Sequence, residues 1–450
     1  MWKALKIYYY GGMSVGRISR KEKREKESKV YFFGEFLKVK NHFFKNLINM
    51  LKSVMDMRHQ SYTVYGTEIL LFTVLMKNIC GIKSMTSMTN NFNKNECIEN
   101  MAKVLGDEEL EELPHYKTIN DFLCKLDTGE LDRIIHYMIN QLFKKRCFEK
   151  YRLLNKYWCV AVDGTGLFSF HEKHCENCLK REHKDKDGNV ISTTYHHSVL
   201  EAKLVVGDMV FSIGTEFIEN EDENVSKQDC EINAFKRLAK TLKKRYPKLP
   251  ICILGDSLYP SESVFKICDD NQWKFLLRFK EGKIKSLGEE FKALKQLDPN
   301  TNGNCVWVKD ISYQERKVDM LETEVEDKNG KKTSFLFITS ISITKRNADE
   351  IALAGRSRWK IENQGFNNQK NIRYDIEHAN SLNYNAMKNH YLITQIADII
   401  RQIFEKGLGI IKALNKGIKE ISAMLLESFR TIKMTDADKQ ETNRMKTQFT

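Results

Sequence analysis

Proline is scarce in this chain: 5 in 450 residues, too few for long structureless linkers. Long apolar runs are also missing. The longest aliphatic stretch, Ile69-Leu-Leu-Phe-Thr-Val-Leu-Met76, is far too short to span a bilayer. The opening residues, Met1-Trp-Lys-Ala-Leu-Lys-Ile-Tyr-Tyr-Tyr, lack an apolar signal core and a cleavage site, so a cytoplasmic protein with no membrane partner is expected. Cysteines number 11, an odd count scattered through apolar stretches, which points to reduced thiols rather than a disulfide framework. No internal repeat is found.

What is present is length, core and positive charge. A chain of 450 residues can hold two or three domains and a large core. Hydrophobic residues make up 41% and charged residues 30%, as in a globular protein. The formal net charge of +13 suggests a polyanionic partner, and nucleic acid is the usual one.

Residues 17–29 hold 7 Lys/Arg and 3 Glu with almost nothing apolar. Segment 1–30 is therefore expected to be a solvated, disordered basic tail, or in the sharper alternative a phosphate-contacting arm. Residues 31–150 read as helical. Apolar residues recur at helical spacing in Phe43-Phe-Lys-Asn-Leu-Ile-Asn-Met-Leu51 and from Leu131 to Phe143, with Thr118 as an expected N-cap. Such a bundle suits DNA binding or dimerisation. From 151 to 405 the pattern becomes α/β. Strands are expected at 157–163, 194–206, 209–218, 250–255 and 274–279, and helices at 228–246 and 260–272, with Pro260 in the first turn. Residues 300–343 read as a β-rich insertion with a turn at Lys328-Asn-Gly330. Helices follow near Ala348 and over 384–405, and 406–450 reads as a C-terminal helix and polar tail.

Three acidic residues stand out. Asp163 ends the apolar run Trp158-Cys-Val-Ala-Val-Asp163-Gly-Thr-Gly, and Asp256 ends Ile251-Cys-Ile-Leu-Gly-Asp256-Ser. A carboxylate at the end of a buried strand is costly unless its charge is compensated. Sites in open α/β sheets form outside the carboxyl ends of strands, where both aspartates fall. Glu362 follows the β insertion, on an expected helix in Arg358-Trp-Lys-Ile-Glu362-Asn-Gln-Gly-Phe366. Together these carboxylates could hold two divalent ions for phosphodiester chemistry, and oxygen ligands suit Mg²⁺ or Mn²⁺.

A second motif is His171-Glu-Lys-His174-Cys175-Glu-Asn-Cys178, followed by His183 and the pair His196-His197. Its spacing resembles a zinc knuckle. The expectation is a His/Cys-rich loop without metal, with a structural Zn²⁺ held by His174, Cys175, Cys178 and His183 as the sharper alternative.

Val-Ala-Val-Asp163-Gly-Thr-Gly, Ile-Leu-Gly-Asp256-Ser-Leu-Tyr259 and Arg358-Trp-Lys-Ile-Glu362 with Phe366 resemble the DDE transposases of bacterial insertion sequences, over roughly residues 110–400. The resemblance implies an α/β ribonuclease H-like mixed sheet with flanking helices, a helical N-terminal region and a β insertion before the Glu helix. It also implies that Asp163, Asp256 and Glu362 are the metal-binding catalytic carboxylates. Implied partners are double-stranded DNA, as terminal inverted repeats and target, and a second copy of the chain, acting at the bacterial nucleoid. In one branch of the family a Tyr-Arg-Glu-Lys signature surrounds the Glu. The corresponding positions here are Gly355, Arg358 and Gln369. On an ordinary helix of about 3.6 residues per turn, Lys370 falls about 80° round from Glu362 and Arg373 returns to about 20° from it; either could contact DNA, as could Arg358.

Two rival functions share these residues. One is a ribonuclease H-fold nuclease that cuts without joining; the other is a DNA-binding descendant without catalysis, against which the complete triad argues. A phosphate loop of the actin-like ATPase or aspartyl phosphatase kind at Asp163-Gly-Thr-Gly lacks the Asp-x-Asp and later Gly-rich motifs it would need.

Overall fold

The computed structural model describes residue 19 and residues 30–59, 61, 63–221 and 227–444. Apart from Ser19, the basic segment 17–29 lies outside the described residues, as do the last six residues of the chain.

Ten strands form one mixed sheet. Its first half comprises Trp158–Phe170 (β1), Leu179–Lys184 (β2), Val190–Val206 (β3), Met209–Ile218 (β4), Ile251–Gly255 (β5) and Lys274–Arg278 (β6). β3 runs antiparallel to β1, and β4 antiparallel to β3. β5 then pairs with β1 in parallel, and β6 with β5. All five residues of β5 are buried, as a strand covered on both faces requires. The helices Glu231–Arg245 and Glu262–Asp270 connect β4 to β5 and β5 to β6. The order β4-β3-β1-β5-β6, three antiparallel strands followed by two parallel ones, is the ribonuclease H-like arrangement.

The β-rich stretch after β6 does not leave this sheet. Asn300–Asn302 (β7), Cys305–Tyr313 (β8), Arg316–Glu326 (β9) and Lys332–Thr339 (β10) fold back so that β10 pairs antiparallel with β6 and the others extend the edge. The hairpin between β9 and β10 turns at Lys328-Asn-Gly330, with Gly330 at φ 78°.

Helices occupy Phe32–Phe43, Leu47–Lys52, Thr67–Ile79, Met85–Phe92, Asn95–Leu105, Tyr116–Lys125 and Thr128–Lys145. They share one continuous apolar core with the long helix Tyr384–Gly407, the helix Ile418–Thr431 and one face of the sheet. The Tyr384–Gly407 helix is buried almost all round, which explains its lack of a polar face. Some of its polar groups bond to neighbouring helices: Asn389 Nδ2 donates to the carbonyls of Leu123 and Leu126 at 2.9 Å each.

Several local expectations change. His115, not Thr118, caps the helix Tyr116–Lys125, its Nδ1 accepting the Lys117 N–H at 3.3 Å. The second parallel crossover helix starts at Glu262 after N-cap Ser261, leaving Pro260 just outside it. Beyond the helix Ala348–Ser357 the backbone stays helical but widens into two π turns, Ile361–Phe366 and Asn368–Arg373. Such turns are often found at functional sites, and they alter the phase of every side chain after Glu362.

Candidate active site on adjacent central strands

The parallel pairing of β1 and β5 sets Ala161 opposite Leu254. The parallel pairing stops there. Asp256 follows the last residue of β5, but Asp163 does not end its strand as expected: β1 runs on to Phe170, with Asp163 paired to Glu201 of β3. Asp163 is held on both oxygens. Oδ1 accepts the Gly164 N–H at 3.1 Å, and Oδ2 accepts from Arg358 Nη1 at 3.1 Å. Asp256 Oδ1 accepts the Leu258 N–H at 2.7 Å, an Asx turn that orients its carboxyl as the chain leaves β5. Glu362, on the first π turn, keeps a side chain 55% exposed, and its Oε2 lies 4.0 Å from Arg358 Nη2.

Electrostatics ties the group together. Burial raises the Asp163 carboxyl to about 6; the Arg358 guanidinium opposes this, while Asp256 and Glu362 add to it. The three sets of carboxylate oxygens do not close to within 4.8 Å of one another. Instead Arg358 bridges Asp163 and Glu362.

A fourth carboxylate joins them that periodicity alone conceals. Glu231 opens the helix after β4, where a first-turn Glu reads as an ordinary partner of the helix dipole. Its carboxyl is raised to about 6, first by burial and then by Asp163 and Asp256, with a Tyr259 hydrogen bond opposing. Tyr259 Oη donates to Glu231 Oε2 at 3.4 Å. A Cβ on Gly164 would sit 2.5 Å from Glu231 Oε1, so the glycine after Asp163 makes room for this side chain. Beside these residues a cleft of ≈ 580 Å³ runs along β1 and β3, reaching the site at Gly164, Glu231 and Leu258.

The expected DNA-contacting cations separate. Arg358 faces the carboxylates. Lys370 is partly exposed and pairs with Glu377 at 2.7 Å. Arg373 must be corrected: it is 1% exposed, held by Glu405 and 3.7 Å from Asp398, and offers no surface to a duplex. The π turns rotate it inward, where an ordinary helix would have returned it toward Glu362. The signature positions also have packing reasons. A Cβ at Gly355 would lie 2.8 Å from the Phe337 ring, so an aromatic side chain has no room there. Gln369 is buried and donates to Gln395 at 3.0 Å and Asp398 at 2.8 Å.

The Cys/His loop also rearranges. His183 lies on the exposed strand β2 and bonds Thr194 Oγ1 at 3.1 Å, away from the cysteines. His174 Nε2 lies 2.6 Å from the Leu382 carbonyl. The group that gathers is Cys175, Cys178 and His197, the last contributed by β3.

A ribonuclease H-like sheet with acidic residues just past the parallel pairing of its adjacent central strands defines a class of nucleic-acid-processing domains. Residues 157–397 match the Transposase DDE domain family, and residues 48–138 match the family described as DDE_Tnp_1-associated. The chain belongs to the DDE transposase domain family. No curated protein matches it. Among solved structures, a cryo-EM structure of the piggyBac transposase synaptic complex with hairpin DNA is similar at 11% identity and a TM-score of 0.42, over 92% of this chain and 82% of that one.

Proposed function

We propose that this chain cleaves DNA at the ends of an insertion sequence and joins the freed ends to a target. The observation that carries the reading is the convergence of Asp163 and Asp256, from adjacent parallel strands, with Glu362, linked to Asp163 through Arg358. Asp163, Asp256 and Glu362 are assigned as the catalytic carboxylates. With Glu231 they put more negative charge in one place than Arg358 alone offsets, and the raised Asp163 and Glu231 carboxyls reflect that surplus. Hard oxygen donors with excess negative charge fit Mg²⁺ or Mn²⁺. Two such ions bound there would activate the attacking water or 3′ hydroxyl and stabilise the leaving oxygen of an in-line displacement.

The protein's own groups prepare that step. The Gly164 N–H and Arg358 fix the Asp163 carboxyl, and the Leu258 N–H fixes Asp256. Arg358 also lowers the free energy of a site crowded with carboxylates and is available to a DNA phosphate. Lys370, partly exposed on the second π turn, is assigned to the DNA backbone. Duplex DNA bearing the element ends is the partner, consistent with the +13 charge, and two copies of the chain work on paired ends.

The test is a cleavage assay with end-containing DNA and Mg²⁺ or Mn²⁺. Asp163→Asn, Asp256→Asn and Glu362→Ala are each expected to abolish nicking while DNA is still bound. Wild-type nicking by Glu362→Ala would overturn the assignment. Cutting by the wild-type chain without joining to a target plasmid would favour the nuclease reading.

A further inference from the structure

Cys175, Cys178 and His197 form a compact triangle far in role from the acidic site. Cys175 Sγ and Cys178 Sγ are 3.6 Å apart, and His197 Nε2 lies 3.4 Å from each. Zinc holds thiolate sulfur at about 2.3 Å and imidazole nitrogen at about 2.0 Å, so two vertices of its tetrahedron lie roughly 3.5–3.8 Å apart. The three observed edges are close to the dimensions of one face of that tetrahedron. They are too long for a disulfide, whose sulfurs sit about 2.0 Å apart.

The fold brings the donors together deliberately. The loop after β1 carries Cys175 and Cys178 at a two-residue spacing, and the Cys175 N–H donates to Cys178 Sγ at 3.4 Å. β3 pairs with β1 on one edge and β2 on the other, with His197 opposite Phe168 and His196 opposite Leu179. Alternation along β3 then turns His197 to the covered face, where it is fully buried. Tyr384, at the start of the long helix, stacks on the His197 ring with centroids 3.9 Å apart. The other ring nitrogen, Nδ1, is buried with no hydrogen-bond partner. A buried imidazole whose Nε2 faces only two sulfurs is costly unless that nitrogen serves as a ligand.

We propose that Cys175, Cys178 and His197 bind one zinc ion, with the fourth position facing the hollow of ≈ 490 Å³ bounded by Cys175, Glu176, Leu382 and Tyr384. Both thiols bind as thiolates and release their protons to solvent; His197 binds as neutral imidazole. The ion clips the β1–β2 loop onto β3 beneath the Tyr384–Gly407 helix, fixing the far end of the strand that begins the acidic site. His183, which fits the sequence spacing, takes no part.

The experiment uses the full chain. After purification and dialysis against metal-free buffer, elemental analysis should find about one zinc per chain. Cys178→Ser and His197→Ala should each lose most of it, whereas His183→Ala should keep it. Should a ligand variant fail to fold, the wild-type chain exchanged with Co²⁺ carries the test through its thiolate-to-cobalt charge-transfer absorption. A wild-type chain without stoichiometric zinc and without that absorption overturns the proposal, as does a Cys175–Cys178 disulfide in the freshly purified protein. Loss of zinc from His183→Ala overturns the ligand assignment. These readouts need no DNA, so their failure is separate from any failure of DNA cleavage.

Discussion

Arg358 reaches Asp163 across 195 positions of sequence, its Nη1 donating to Oδ2 at 3.1 Å, while its Nη2 lies 4.0 Å from Glu362 Oε2. One guanidinium therefore bridges a carboxylate on a central strand and a helical one.

The bridge has a pH consequence. Arg358 holds the Asp163 carboxyl below the value that burial and the other acids would impose. Arg358→Ala removes that restraint, so Asp163 stays protonated to higher pH. The acid limb of the cleavage-rate profile is expected to shift upward, and an unmoved limb would show that Asp163 does not govern it.

Asp163 and Glu231 also shape stability. Both folded carboxyls lie near 6, above their ordinary values of 3.8 and 4.5. The folded state thus binds more protons than the unfolded state in that window. Stability falls as pH rises from about 4 to about 6, and the cost persists above it. For Asp163 a rise of this size corresponds to at most about 3 kcal/mol. Asp163→Asn should raise the melting temperature at about pH 7.5 and leave it little changed at about pH 4. Mn²⁺ should stabilise the wild-type chain at the higher pH and much less Asp163→Asn. Equal stabilisation of both would locate the ion elsewhere.

Gly164 and Gly166 make a matched pair for mutation. A Cβ at Gly164 meets Glu231 at 2.5 Å, whereas one at Gly166 meets nothing within 4 Å. Gly164→Ala should displace Glu231 and lower cleavage by roughly tenfold or more, about 1.4 kcal/mol in the barrier. Gly166→Ala should be nearly silent. Circular dichroism checks that both remain folded, and equal activities would remove Glu231 from the site.

Arg373 and Lys370 should divide stability from binding. Arg373 and Arg401 share the buried Glu405, whose carboxyl is held below the usual range by those two guanidiniums against the opposing effect of burial. Arg373→Ala should cost about 3–5 kcal/mol in urea unfolding. Lys370→Ala should leave stability unchanged, weaken DNA binding and flatten its salt dependence by about one phosphate contact. A stable Arg373→Ala would mean that Arg401 alone satisfies Glu405.

Much of the core sheet was legible because its strands are continuous apolar runs, as in Val160–Val162 and Ile251–Leu254. Asp163 and Asp256 were therefore visible as charges closing apolar runs, although β1 itself runs on to Phe170. β2 was not legible: five of its six residues, Lys180 to Lys184, are exposed, and nothing in Leu-Lys-Arg-Glu-His-Lys alternates. The π turns left no trace either: the residues that flank them, Lys360 and Asn367, keep ordinary right-handed helical backbone angles. That is why Arg373 was aimed at DNA when it points into the core. His197 escaped for a different reason: strand register, not spacing along the chain, brings it to the cysteines. The adjacent His196-His197 pair carried a usable signal, because alternation must send one of two neighbouring strand histidines inward.

The extended sheet edge has a consequence for how this protein can vary. β10 is zipped to β6, Phe337 opposite Arg278 and Thr339 opposite Leu276, and residues 340–347 then connect it to the helix Ala348–Ser357 that leads to Glu362. The strands therefore serve as a gauge block for the third carboxylate. Residues can be added at the Lys328-Asn-Gly330 tip without moving it, because the ladder absorbs nothing there. A single residue lost from Phe335–Thr339 would invert which side chains face Gly355 and swing Glu362 away from Asp163. Lineages of this chain should be free to lengthen the hairpin and conservative in its last five rungs.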